Sequence, residues 1–132
     1  MVRLADYVVS FLEHVGVRDI FTISGGGSIF LNDALGQSNI KYYCCHHEQA
    51  VVMAAEAYAR VSGNIGVSLV TSGPGGTNAI TGVAGCWIDS GPNLIISGQV
   101  YLNQTIGNSG LRQLGIQEIN IIDIIEPITK YA

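Results

Sequence analysis

Charge is scarce in this 132-residue chain: Asp, Glu, Lys and Arg make up only 12% of it, and ten acidic against six basic side chains leave a net charge of −4. No Lys/Arg cluster exists that could neutralise a phosphate backbone, so no nucleic-acid partner is expected. Long apolar runs are missing too. No stretch reaches the roughly 18 uninterrupted apolar residues that cross a bilayer, and the opening Met1-Val2-Arg3-Leu4-Ala5-Asp6 lacks the apolar segment of a signal peptide. No membrane partner is expected, and the chain reads as cytoplasmic. Its three cysteines, Cys44, Cys45 and Cys86, lack Cys-x-x-Cys spacing, which fits reduced thiols better than disulfides or zinc ligands. No metal site is expected.

Apolar residues, in contrast, are plentiful. They form 48% of the chain, with a mean hydropathy of +0.36, high for a surface wetted on all sides, so part of that surface is expected to meet another protein. The length suits one domain, residues 1–132, with a single core.

Periodicity orders the elements. Leu4, Val8, Phe11, Leu12 and Val15 recur as one helical stripe that Gly16 stops. The β-branched run Asp19 to Ser24 reads as a strand broken by Gly25-Gly26-Gly27, and a helix follows from Ser28 to about Gln37. Ile40 to Cys45 resumes strand character, and an Ala-rich helix runs from His47 through Arg60 to a stop near Gly63. Ile65 to Ser72 is a buried strand. A helix whose Ile80, Val83, Ala84, Trp87 and Ile88 share a face comes next, then an apolar strand from Asn93 to Val100. Tyr101 to Gly115 is polar and glycine-bearing, a candidate active-site loop, before a short helix over Ile119 to Ile125 and a last strand over Ile128 to Tyr131. Alternation of this kind predicts an α/β fold: a parallel sheet with helices on both faces, in three layers. Ligands of such sheets bind at the carboxyl ends of the strands. That singles out Ser24 to Ser28, His46 to Gln49 and Ser72 to Asn78.

Neither glycine loop is an ordinary phosphate cradle. Gly25-Gly26-Gly27-Ser28-Ile29-Phe30 fails the last glycine of the dinucleotide fingerprint, and Ser72 to Asn78 contains no lysine and so cannot be a P-loop. Two readings remain: tight strand-to-helix turns, or close approach of backbone to a flat ligand.

Four stretches in order carry a resemblance. They are Cys45-His46-His47-Glu48-Gln49-Ala50, continuing through Ala54-Ala55-Glu56-Ala57-Tyr58-Ala59-Arg60 to Ser62-Gly63; Thr71-Ser72-Gly73-Pro74-Gly75-Gly76-Thr77-Asn78-Ala79; Ile95-Ile96-Ser97-Gly98-Gln99-Val100; and Gln117-Glu118 with Pro127-Ile128-Thr129-Lys130. Together they resemble the N-terminal, pyrimidine-binding domain of thiamine diphosphate-dependent enzymes of the acetolactate synthase type. Cys44-Cys45-His46-His47 and Leu111-Arg112-Gln113-Leu114-Gly115 are most similar to acetolactate synthase-like proteins of surface-polysaccharide clusters. One departure stands out: Ile23-Ser24 replaces the family's Tyr-Pro before the first glycines.

The resemblance implies a lyase or carboligase acting on a 2-keto acid, with thiamine diphosphate supplying the hard chemistry. A carboxyl hydrogen-bonded to N1′ of the aminopyrimidine favours the imino tautomer, whose 4′-nitrogen then takes the proton from C2. Glu48 matches that carboxyl, which needs a setting shielded from water; a bare Glu in a first helical turn would otherwise serve the helix dipole, worth roughly 0.3–1 kcal/mol. By matching position, Ser24, Gly25, Gly26, Pro74, Asn78 and Gln117 are implied to contact the cofactor or lie near the substrate. Lys130 matches a family lysine near the substrate channel, with plain solvent exposure as the other reading. His46 and His47 suit either proton traffic or a structural role. Glu56 and Arg60 read as a helix-supporting i,i+4 pair.

The family binds the cofactor's diphosphate through Mg²⁺ in another domain, with a Gly-Asp-Gly segment followed by Asn, and that motif is not in this sequence. A homodimer or higher homo-oligomer through the pyrimidine domain is therefore implied, with the diphosphate-binding domain of a partner subunit facing Glu48 and with Ala50, Ala54, Gly82 and Gly85 on the interface helices. FAD in the parent protein is compatible with the family. A fragment truncated at its C-terminal end, inactive alone, is the expectation; a separate subunit of a two-chain 2-keto acid decarboxylase and a non-catalytic dimerisation module are the alternatives.

Overall fold

In the computed structural model, which describes residues 2–132, helix and strand alternate through most of the chain. The order is α1 (Leu4–His14), β1 (Asp19–Thr22), a 3₁₀ turn (Gly26–Ser28), α2 (Ile29–Gly36), β2 (Lys41–Cys44), α3 (Glu48–Ser62), β3 (Gly66–Val70), α4 (Pro74–Asp89) and β4 (Asn93–Ser97). A 3₁₀ turn at Leu102–Gln104 interrupts the following loop, and α5 (Ile121–Ile125) runs into a 3₁₀ turn at Glu126–Ile128.

The four strands form one sheet in the order β2-β1-β3-β4, and every pairing is parallel. All carboxyl ends therefore leave the same edge of the sheet. Alternation along each strand divides the core between two faces. On one, Ala5, Val9 and Leu12 of α1 and Ala34 and Leu35 of α2 meet Ile20, Val67 and Leu69. On the other, Val52 of α3 and Ala79 and Cys86 of α4 pack with Ile95. This is the three-layer α/β/α arrangement that the alternation predicts.

Helix α3 shows why these residues fold this way. Val51, Val52, Ala55 and Ala59 form its buried stripe, His47 Nδ1 caps its start by accepting the Gln49 N–H at 3.2 Å, and Gly63 ends it in the left-handed region with φ 71°. Arg60 ties it to α4 by bridging Glu56 and Asp89, so the expected Glu56–Arg60 pair has a third member. On the sheet, Tyr43 and Tyr58 both donate to Asp19, at 3.0 and 2.9 Å, beside the ring of Phe21.

Several expectations need correction. The buried residues of α1 are Ala5, Val9 and Leu12, whereas Leu4, Phe11 and Val15 are exposed. Likewise α4 buries Gly75, Gly76, Ala79, Gly82, Val83 and Cys86 while Trp87 and Ile88 face outward. In α4 the stripe is built mostly on small residues, which let the helix come close to its neighbours. Gly82 is not a surface residue: a Cβ there would lie 2.6 Å from Val52 Cβ, so it lets α4 approach α3 within the chain. All four residues of β2 are exposed, as suits a short edge strand. The strand expected over Ile128 to Tyr131 is a 3₁₀ turn and irregular chain. Thr129 turns back on the preceding residues, its N–H donating to the Glu126 carbonyl at 3.4 Å and its Oγ1 to the Ile125 carbonyl at 3.1 Å, and among the described residues the segment joins no sheet.

Candidate functional site

Because β1, β2 and β3 run parallel, the three loops singled out by sequence emerge side by side. The turn after β1 and the turn after β3 are locked together. Gly27 donates its N–H to Thr71 Oγ1 at 3.0 Å, and a Cβ on Gly25 would fall 2.5 Å from Thr71 Cβ. Thr71 therefore fills the space that glycine leaves. It is a residue sequence reasoning missed, since a Thr at a strand end carries no signal of its own.

Glu48 is the first residue of α3, preceded by His47 in extended backbone. Its carboxylate is anchored from the third loop: Asn78 Nδ2 donates to Glu48 Oε2 at 3.0 Å. The other oxygen, Oε1, lies beside Gly75, where a Cβ would stand 3.5 Å away and 2.6 Å from Thr71 Cγ2. A side chain at position 75 would occupy the space next to that oxygen. Glu48 is half-buried within this chain, between the exposed edge strand β2 and the start of α4.

The remaining predicted residues gather on the same edge in different ways. Ser24 and Gly26 are exposed on the first turn, and Gly26 faces open space. Pro74 opens α4, where its missing N–H costs no helix hydrogen bond. It follows Gly73, whose φ of 58° and ψ of −118° suit only glycine. Gln117 reaches the site through its backbone: its carbonyl lies where a Cβ of Gly73 would be, and its own φ is 58°. Its side chain is exposed.

Glu118, beside it, is the other carboxylate of this region and was missed as a separate feature. It is only 9% exposed. Burial by itself raises its pKa, but N–H donors from Ile106, Leu114 and Gly115 outweigh that and hold it below the usual glutamate range.

His46 is exposed, and His47 acts as the helix cap. Lys130 stands 5.8 Å from the centroid of the neighbouring Tyr131 ring. Among the described residues, no three His, Cys, Asp or Glu side chains cluster as metal ligands would, and no helix is long and apolar enough to cross a membrane.

The carboxyl edge of the parallel sheet thus holds an anchored carboxylate with one oxygen unbonded within the chain, next to glycine turns. Residues 2–124 match the model of the thiamine pyrophosphate enzyme, N-terminal TPP binding domain. The chain is 41% identical over 125 residues to the acetolactate synthase large subunit of Lactococcus lactis, covering 94% of this chain and 21% of that protein. It is 41% identical over 129 residues to the corresponding subunit of Haemophilus influenzae, covering 97% and 22%. For acetolactate synthase 2, chloroplastic, of Zea mays, the identity is 41% over 128 residues, covering 96% and 19%. The chain thus spans about a fifth of the length of the curated relatives it matches. On a match that covers nearly all of its residues, the chain belongs to the family of thiamine pyrophosphate enzyme N-terminal TPP-binding domains.

Proposed function

We propose that this domain serves a thiamine diphosphate-dependent, acetolactate synthase-like enzyme acting on a 2-keto acid, as lyase or carboligase, and that Glu48 activates the cofactor through N1′ of its aminopyrimidine. The observation that carries this reading is the Asn78–Glu48 hydrogen bond, which occupies Oε2 and leaves Oε1 beside Gly75 free to share a proton.

The residues present fit the pyrimidine end of that cofactor. Gly75 puts no side chain next to Glu48 Oε1, so that oxygen is left open towards a ring nitrogen. Ser24, Gly25 and Gly26 on one side and Pro74 on the other would hold the ring. When bound, thiamine diphosphate supplies the acidic carbon and the electron sink that decarboxylation of a 2-keto acid requires. Glu48 would keep a proton between Oε1 and the ring nitrogen. Asn78 fixes the carboxylate rotamer, and the Gly25 and Gly73 turns deny space to other side chains. Shielding of Glu48 is then completed by a partner subunit's diphosphate-binding domain, which would also hold Mg²⁺. The half-buried state of Glu48 within the single chain supports that need.

In the full-length protein with pyruvate, thiamine diphosphate and Mg²⁺, Glu48→Gln is expected to lower kcat by about 10²- to 10⁴-fold. Asn78→Ala should lower it less while changing stability by no more than about 1 kcal/mol. Undiminished activity of the Glu48→Gln protein would remove the proposal.

A further inference from the structure

The loop between β4 and α5 has little regular structure, yet it is not loosely held. Its polar anchor is Glu118. Glu118 Oε1 accepts the Ile106 N–H at 2.6 Å, and Oε2 accepts those of Leu114 at 3.1 Å and Gly115 at 3.2 Å. The Glu118 N–H in turn donates to the Gly115 carbonyl at 3.2 Å. One carboxylate thus gathers both ends of the 106–115 stretch, and it does so from a buried position. Gly115 is packed so closely that a Cβ would come within 2.8 Å of Val100 Cγ1 and 2.9 Å of the Gln104 carbonyl oxygen.

The residue next to this anchor touches the site. Gln117 holds a left-handed backbone that favours glycine, with φ 58°, and its carbonyl is pressed against Gly73. Such a conformation in a side-chain-bearing residue persists only where the surroundings enforce it. Gly73 immediately precedes Pro74, the first residue of α4, and one turn further on Asn78 donates to Glu48.

We infer that Glu118 is a positioning residue: it clamps the 106–115 loop and, through the Gln117 carbonyl on Gly73, sets the start of α4 and hence the Asn78 hydrogen bond to Glu48. The loop-holding part stands on geometry alone. Its consequence for catalysis rests on the function proposed above.

Two variants test it in the full-length protein. Glu118→Gln keeps the shape but puts an NH₂ group against an N–H donor, so the three bonds cannot all be made. Ile106→Pro deletes one donor from the exposed loop. Thr105, at φ −77° and ψ 144°, already has the extended backbone that a following proline requires. Hydrogen exchange at Leu114 and Gly115 is expected to accelerate by about tenfold or more in Glu118→Gln and by less in Ile106→Pro, with α3 and β3 amides unchanged. The NMR signal of the Asn78 side-chain amide is expected to shift in both, and kcat to fall several-fold.

Unchanged loop exchange in Ile106→Pro would overturn the clamp, even if Glu118→Gln fails to fold. A loosened loop with an unmoved Asn78 signal would overturn the coupling to the site. Full activity of Glu48→Gln would instead defeat the function proposed above and leave the exchange result standing.

Discussion

Two carboxylates in one chain have been given opposite settings, and the difference lies in their donors. Glu118 accepts three backbone N–H groups that cannot leave without unfolding the loop, whereas Glu48 accepts a single side-chain amide and keeps one oxygen free. The first is built to stay ionised; the second is the one proposed to share a proton with the cofactor. Stability should reflect this. Glu118 ionises below its unfolded-state value of about 4.3, so its contribution is fully present above that value and is lost as pH falls through the folded one. Urea unfolding of wild type and Glu118→Gln across the acid range is expected to show a gap at neutral pH that closes towards low pH; a gap independent of pH would contradict the assignment. Glu48 could be singled out in the sequence because its neighbours form a motif. The role of Glu118 was not, because its partners are backbone amides at positions 106, 114 and 115, which any residue type supplies.

At the level of elements, the contact between α3 and α4 decides where the site residues stand, since Glu48 begins one helix and Pro74 and Asn78 begin the other. Gly82 sets the distance between them by admitting Val52. Gly82→Val should cost at least about 1–3 kcal/mol, the usual penalty for overpacking, measurable as a lowered midpoint in thermal unfolding; a neutral result would show that the helices can part without cost. The kinds and order of elements through β4 were readable from period and glycine breaks, but the buried faces of α1 and α4 were not. A scan for bulky apolar residues selects Leu4, Phe11, Trp87 and Ile88, which lie outside, over Ala5, Gly75, Ala79 and Gly82, which lie inside. The expected final strand failed for a related reason: apolar residues near a chain segment make a strand only where a neighbour offers a ladder.

For the molecule as a whole, the notable feature is how much apolar surface stays in contact with water. Val61 at 90%, Ile88 at 77% and Trp87 at 50% exposure stand near the C-terminal ends of α3 and α4, the end of the helix pair away from Glu48. Exposed apolar side chains of this size are candidates for cover by another polypeptide, and a self-association through these helices is open to test. Ile88→Glu is expected to weaken association in sedimentation while leaving the circular dichroism spectrum intact; unaltered association would move the interface elsewhere.

Composition and local pattern were enough to determine an α/β fold with a parallel sheet and the loops at its carboxyl edge, while Glu48 was singled out by a family resemblance. Those properties depend on periodicity, turn residues and motif spacing, all of which are local along the chain. Only the tertiary structure decided which oxygen of Glu48 is free, that Thr71 fills the gap between two glycine turns, and that Glu118 holds a loop against Gly73. Each of these depends on a contact between distant segments, Asn78 with Glu48 across 30 residues, Thr71 with Gly27 across 44 and Gln117 with Gly73, and such contacts are set by packing of the sheet and helices, which no local pattern encodes.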